Sequence, residues 1–186
     1  MIKKIAIIAA ILFAFAHGAS AQRWSVSTNL VDWAAIGTIN LEGSASLAQR
    51  VSVQAGFKYN PWTFRADDPD KQFQLRQKTY YAGVRWWPWH VFSGWWVSAY
   101  GQYREYNRGG LLSRETEEGD AFGGGVSGGY ALMLNESFNV EFGLGLWGGV
   151  KDYTRYSCPR CGKILDEGRK GFVEPDDIRI SFVFIF

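Results

Sequence analysis

Ile178-Arg179-Ile180-Ser181-Phe182-Val183-Phe184-Ile185-Phe186 is the stretch whose reading decides the fold. With a period of two, Ile178, Ile180, Phe182, Phe184 and Phe186 share one face of a strand, and Arg179, Ser181, Val183 and Ile185 share the other. Five large apolar side chains in a row are not left in water, so lipid or a neighbouring apolar layer must cover them. Upstream segments repeat the pattern. Phe138, Val140, Phe142, Leu144 and Leu146 alternate with Asn139, Glu141, Gly143, Gly145 and Trp147. Phe122, Val126, Tyr130 and Leu132 oppose Gly123, Gly125, Ser127, Gly129 and Ala131. Val51, Val53, Ala55, Phe57 and Tyr59 oppose Ser52, Gln54, Gly56, Lys58 and Asn60, while Ile39, Leu41, Ala45 and Leu47 oppose Asn40, Glu42, Ser44 and Ser46. One face is apolar throughout; the other is small or polar.

This asymmetry fits either a soluble sandwich with its apolar faces inside or a membrane barrel with them outside. Strand length and loop asymmetry favour the barrel. Strands are expected near 24–31, 37–47, 51–60, 78–87, 95–106, 121–134, 138–150 and 177–186. Most run to about ten residues, the length a tilted strand needs to cross a bilayer. Connections at 48–50, 88–94 and 135–137 are short, whereas those at 61–77, 107–120 and 151–176 are long and polar; only the first outer one, near 32–36, is short. Short periplasmic turns and long outer loops are the sidedness of outer-membrane barrels, and closure leaves no unpaired strand edge in lipid. The expected fold is all-β: an antiparallel up-and-down transmembrane β-barrel of about eight strands.

Composition agrees. The 186 residues suffice for one domain, and an aromatic share of 17%, with nine Trp and 22 Gly, suits strands and a membrane interface. Lys3 and Lys4, the apolar Ile5 to Ala16 and the small-residue site Ala19-Ser20-Ala21 read as a secretory signal peptide over residues 1–21, leaving a barrel domain over 22–186. A retained anchor is the other reading, but the apolar core is short for a span. Cleavage removes two of the 20 basic residues and none of the 18 acidic ones, so the mature chain is neutral and offers no electrostatic footprint for nucleic acid. Trp24, Trp86, Trp87, Trp89, Trp95 and Trp96 fall at the turn end of the strands. Tyr59, Trp62, Tyr80, Tyr81, Tyr103, Tyr106 and Trp147 fall at the loop end. They are expected to form two interfacial belts.

The final strand, with Phe182, Phe184 and the terminal Phe186, resembles the signal by which bacterial outer-membrane barrels are handed to their assembly machinery. The arrangement is similar to small eight-stranded barrels of the OmpA and OmpX type. Thr28-Asn29-Leu30, Tyr59-Asn60-Pro61-Trp62, Cys158-Pro159-Arg160-Cys161-Gly162 and the segment Pro175 to Phe186 resemble an uncharacterised family of Gram-negative outer-membrane barrels known only as a domain of unknown function. That resemblance implies a cell outer-membrane location, with outer-membrane lipid and the barrel-assembly machinery as partners. It implies no activity.

Three places could carry chemistry. Glu42, Lys58, Arg85, Arg104, Glu141 and Arg179 are expected to face the lumen, either as an ion-paired plug or as a narrow gated channel, which four cations against two carboxylates would bias toward anions. Cys158 and Cys161, in the longest outer loop, read as a local disulfide, as half a zinc site completed from elsewhere, or as a redox pair, although no thioredoxin-like pattern surrounds them. The long outer loops read as a binding surface for an unidentified surface protein or glycan. A lipid-modifying hydrolase would need a base beside its nucleophile. The only mature histidine, His90, falls at the opposite end from Ser113 and Ser157. The sequence thus predicts a surface scaffold or binding module, not an enzyme, with no cofactor required; a narrow channel is the alternative.

Overall fold

Residues 23–64, 72–110, 115–158 and 162–186 are described by the structure, a computed structural model. The signal peptide expected over 1–21 lies outside them. In chain order the elements are β1 (Trp24–Asn29), helix α1 (Leu30–Ala34), β2 (Ile39–Ala48), β3 (Val51–Asn60), β4 (Thr63–Phe64), β5 (Phe73–Trp86), β6 (Gly94–Gly109), β7 (Thr116–Met133), β8 (Phe138–Tyr156) and β9 (Ile164–Ile185). The eight long strands pair antiparallel in sequence, and β9 returns to β1 through Ser25↔Ile185 to Asn29↔Ser181. The ring is therefore closed. At the seam Phe186 N–H donates to the Trp24 carbonyl at 2.9 Å, and Arg23 and Trp24 N–H groups donate to the Phe186 carbonyl. β4 is an accessory pair of residues lying along the far end of β5.

The alternation that formed the strands also sorts their faces, inside out relative to a soluble protein. Leu41, Phe57, Val84, Val97, Phe122, Val126, Phe142, Leu144, Ile180 and Phe182 stand exposed on the outer wall, while Ser27, Asn40, Gln54, Arg85, Ser98, Glu141 and Arg179 are buried within. Along every strand the outward positions of this zone carry no charge. The first charged outward positions form one cross-strand row, Lys78↔Glu105↔Asp120↔Asp152↔Arg169.

Inside, the turn end is apolar. The β5–β6 connection folds under the barrel, placing Trp87, Val91 and Phe92 against Trp96, Ala131, Val183 and Ile185. The Trp87 indole donates to Ser52 Oγ at 3.0 Å, and Asn139 Nδ2 to the Phe92 carbonyl at 2.6 Å. Trp96 fits because Gly129 and Gly143 face it: a Cβ at either would lie 2.6 and 2.8 Å from its ring, respectively.

Three expectations need correction. The long outer connections are largely strand: β5 begins at Phe73 rather than near 78, β6 and β7 extend to Gly109 and from Thr116, and β8 and β9 pair from Tyr156↔Ile164 downward. In β6, β7 and β8 these extensions carry charged or polar residues on both faces, so no alternation announces them; ladder hydrogen bonds to neighbours hold them instead. The strand expected over 24–31 stops at Asn29, whose side chain accepts from Val31 N–H and caps α1. The two aromatic belts are also thinner than expected. Trp87, Trp96 and Trp147 are buried inside the barrel, since Trp86 and Trp95 take the outward parity beside them. Tyr81 and Tyr106 pack inward as well.

Adding a methyl at Gly143 should therefore destabilise the barrel by about 1–3 kcal/mol through overpacking against Trp96. Gly43→Ala faces open space and should change stability by less than about 0.5 kcal/mol. Thermal unfolding of both variants checks this; equal midpoints would contradict the packing described.

Candidate functional site: the charged lumen and its mouth

Midway up the lumen, β2, β5, β8 and β9 bring Glu42, Arg85, Glu141 and Arg179 together. Arg85 reaches both carboxylates, donating to Glu42 Oε1 at 3.1 Å and to the two oxygens of Glu141 at 3.2 and 3.0 Å. Arg179 grips Glu42 through both terminal nitrogens at 2.8 Å and approaches Glu141 at 3.5 Å. Tyr81 adds an O–H donor to Glu42 at 3.0 Å. The Trp96 ring lies 4.3 Å from the Arg85 guanidinium carbon and 5.6 Å from that of Arg179. Buried charges are tolerated only when paired and hydrogen-bonded in this way.

Asp177 joins the cluster, accepting from Arg179 Nε at 3.0 Å and from Nη2 at 2.8 Å. Its neighbour Asp176 also faces inward, pairing with Arg104 at 2.8 Å and accepting from Tyr100 at 3.2 Å. Two successive residues share one face because β9 carries a bulge: Gly143 pairs with Arg179, but Gly145 pairs with Asp176. Asp177 takes the extra position at φ 50°, a left-handed conformation that aspartate adopts more readily than most residues. Lys58 points toward α1 and pairs with Asp32 at 3.1 Å.

All six charged residues expected in the lumen thus lie inside or at its rim. Four form one network, Arg104 sits higher with Asp176, and Lys58 is engaged by the helix. The expected excess of cations does not hold, because Asp176, Asp177 and Asp32 balance it. A two-residue period cannot register a bulge; the adjacent acids after Pro175 were the available signal. Around the network, voids of about 10 Å³ each remain, room for at most one water apiece.

Above lies the mouth. Glu117 is met by Arg108 at 3.1 Å, Lys151 at 3.2 Å and Arg155 at 3.1 Å. Burial alone would raise its carboxyl pKa, but hydrogen bonds from Arg155 and Lys151 and the charges of Lys151 and Arg108 hold it at about 2. The Lys151 ammonium sits over the Tyr106 and Phe172 rings, and Arg104 stacks on Trp147 at 4.6 Å. A void of about 60 Å³ lies among these groups.

The remaining candidates lie apart. Cys158, in the β8–β9 connection, is disulfide-bonded; Cys161 lies outside the described residues. A zinc site there would require Cys158 as a thiolate. His90 sits in the β5–β6 connection with Nδ1 3.1 Å from the Val91 carbonyl oxygen. Ser157 lies at the other end of the barrel, and Ser113 outside the described residues. Phe182 and Phe184 face outward beside the β1–β9 seam, where Phe184 is 5.0 Å from Phe138 and stacks on Phe186 at 5.9 Å.

A family model described as "Protein of unknown function (DUF3575)" matches residues 6–186. No curated protein matches the chain.

Replacing one member of the buried network leaves its partners charged and alone. Arg179→Met should cost about 3–5 kcal/mol, read by denaturant unfolding in micelles. Arg108→Met, whose side chain is 41% exposed at the mouth, should cost less than about 1 kcal/mol. Equal losses would show that the network is not what the interior depends on.

Proposed function

The chain belongs to the DUF3575 family, and we propose that it is an outer-membrane β-barrel whose raised outer sheet serves as a surface scaffold or binding module. The observation that carries the reading is the charge-free outer wall, which ends at the row Lys78, Glu105, Asp120, Asp152 and Arg169. A strand of about ten residues, tilted by about 40°, covers roughly 25 Å, the height of a lipid-facing band. Tyr59, Tyr80 and Trp62 at its upper margin, and Trp24, Trp86, Trp89 and Trp95 at its lower one, are exposed rings suited to two interfaces. The leader is removed near Ala21, and both ends of the mature chain face the periplasm.

On this reading β5 to β9 continue beyond the membrane as a rigid sheet, where β1 to β3 stop. Binding residues on a rigid scaffold lose little entropy when a partner docks. A glycan or surface protein is the partner class, and the fold needs no cofactor. The paired lumen and the aromatic plug beneath it weigh against a channel, because an ion would have to displace several charge-assisted hydrogen bonds. His90 and Ser157 at opposite ends weigh against hydrolysis.

The mature protein is expected in washed outer membranes and to be cut by protease added to intact cells, with no conductance in planar bilayers. Recovery in the aqueous periplasmic extract would overturn the membrane reading. Reproducible single-channel steps abolished by Arg85 or Glu141 substitution would replace the module with a channel.

A further inference from the structure

The inner face of the raised sheet carries three cross-strand rows on β6 to β9. The lowest is Arg104, Ala121, Lys151 and Lys170; the next is Tyr106, Gly119, Tyr153 and Gly168; the highest is Arg108, Glu117, Arg155 and Asp166. The lowest row holds three cations and no carboxylate, and it sets Lys151 directly opposite Lys170. Like charges so placed destabilise a sheet unless an opposite charge joins them. Glu117 and Glu174 reach Lys151 from elsewhere at 3.2 and 3.5 Å. Lys170 meets no carboxylate among the described residues; its ammonium lies 4.1 Å from the Tyr153 ring centre. On the outer face the directly opposed pair has the other sign, Asp120 against Asp152.

Beside the lowest row lies the void of about 60 Å³, bordered by Arg104, Arg108 and Lys151 and by Tyr106, Phe172 and Trp147. Glu174 supplies the only carboxylate of its lining among the described residues. Trp147 is buried, and its Nε1–H has no hydrogen-bond partner. Three cations and an unused N–H donor around one hole leave it short of an acceptor. The space holds several waters, or one acid group carried on a larger molecule. Arg108, 41% exposed at the rim, leaves a way in.

We propose that this inner face binds an acidic sugar, with the acid group in the void among Arg104, Arg108 and Lys151 and the adjoining units running past Tyr153 to Lys170. The inference rests on the reading of the raised sheet as a surface binding module and names its ligand. An extended peptide joins a sheet at its edge, through backbone hydrogen bonds that a sheet face does not offer. A sugar needs no such edge. The C–H faces of its rings pack on aromatic rings, and its carboxylate takes charge-assisted hydrogen bonds. Both features stand side by side here, with Lys151 beside Tyr106 and Phe172, and Lys170 beside Tyr153.

Calorimetric titration of the mature full-length protein in detergent tests this, with oligogalacturonate and with the same oligomer fully methyl-esterified and therefore neutral. The acidic oligomer is expected to bind, less tightly in high salt, and the neutral one at least about tenfold more weakly. Lys170→Glu should weaken binding of the acidic oligomer at least about tenfold. Ala121→Leu, which fills the void from its lining without changing charge, should do the same. Lys78→Glu, on the outer face, should leave binding unchanged. Gel migration without heating verifies that each variant remains a closed barrel. No binding of the acidic oligomer, equal binding of its neutral form, equal binding of polyglutamate, or a loss at Lys78→Glu matching that at Lys170→Glu would overturn the proposal. If the acidic oligomer fails while the protein is found in washed outer membranes with its raised sheet open to external protease, the surface-module reading stands and only the acidic-sugar ligand falls.

Discussion

Everything in this molecule follows from the pairing of buried charge inside a narrow ring. Eight strands enclose a lumen only wide enough for side chains, and an outer wall of exposed apolar residues drives the polar ones into it. Glu42, Arg85, Glu141 and Arg179 cannot retreat to water there. Their mutual hydrogen bonds, with those of Asp177 and Tyr81, pair the charges and at the same time fill the interior, although Arg85 Nε is buried without a hydrogen-bond partner. The four strands that supply them are spread around the ring, so the network ties opposite walls together. A soluble protein would place its apolar groups at this position; here they are confined to the turn-end plug around Trp87 and Trp96.

The same rule, applied higher up, gives the molecule its uneven height. Where β1 to β3 end, β5 to β9 continue without an apolar face, held by ladder hydrogen bonds and by clusters such as Glu117 with Arg108, Lys151 and Arg155. One side of that raised sheet is lined by β4, and above its seam with β1 the β9 edge has no further strand among the described residues.

How much of this the sequence carries depends on what constrains each stretch. Where one face is exposed and apolar and the other lines a polar lumen, as in 138–147 and 178–186, alternation is strict and legible. The six lumen charges could be named from parity alone. Parity fails where the constraint is relaxed or broken. The strand extensions at 116–120 and 164–169 carry charged residues on both faces and leave no period. The bulge at Asp177 adds a residue and turns Asp176 and Asp177 inward together. Trp87 and Trp96 sit at strand ends, where aromatic residues suit an interface or an interior equally; only their odd or even place beside Trp86 and Trp95 separates the two.

The central claim is that the apolar face of each strand looks out into hydrocarbon and the polar face into a filled lumen. Spin labels placed one at a time from Phe138 to Val150, in protein reconstituted into lipid, test it directly. The account predicts that labels at 138, 140, 142, 144, 146 and 148 collide freely with dissolved oxygen and those at odd positions do not, with a water-soluble relaxant reaching neither set. An accessibility profile without this period, or even positions open to the water-soluble relaxant, would contradict it.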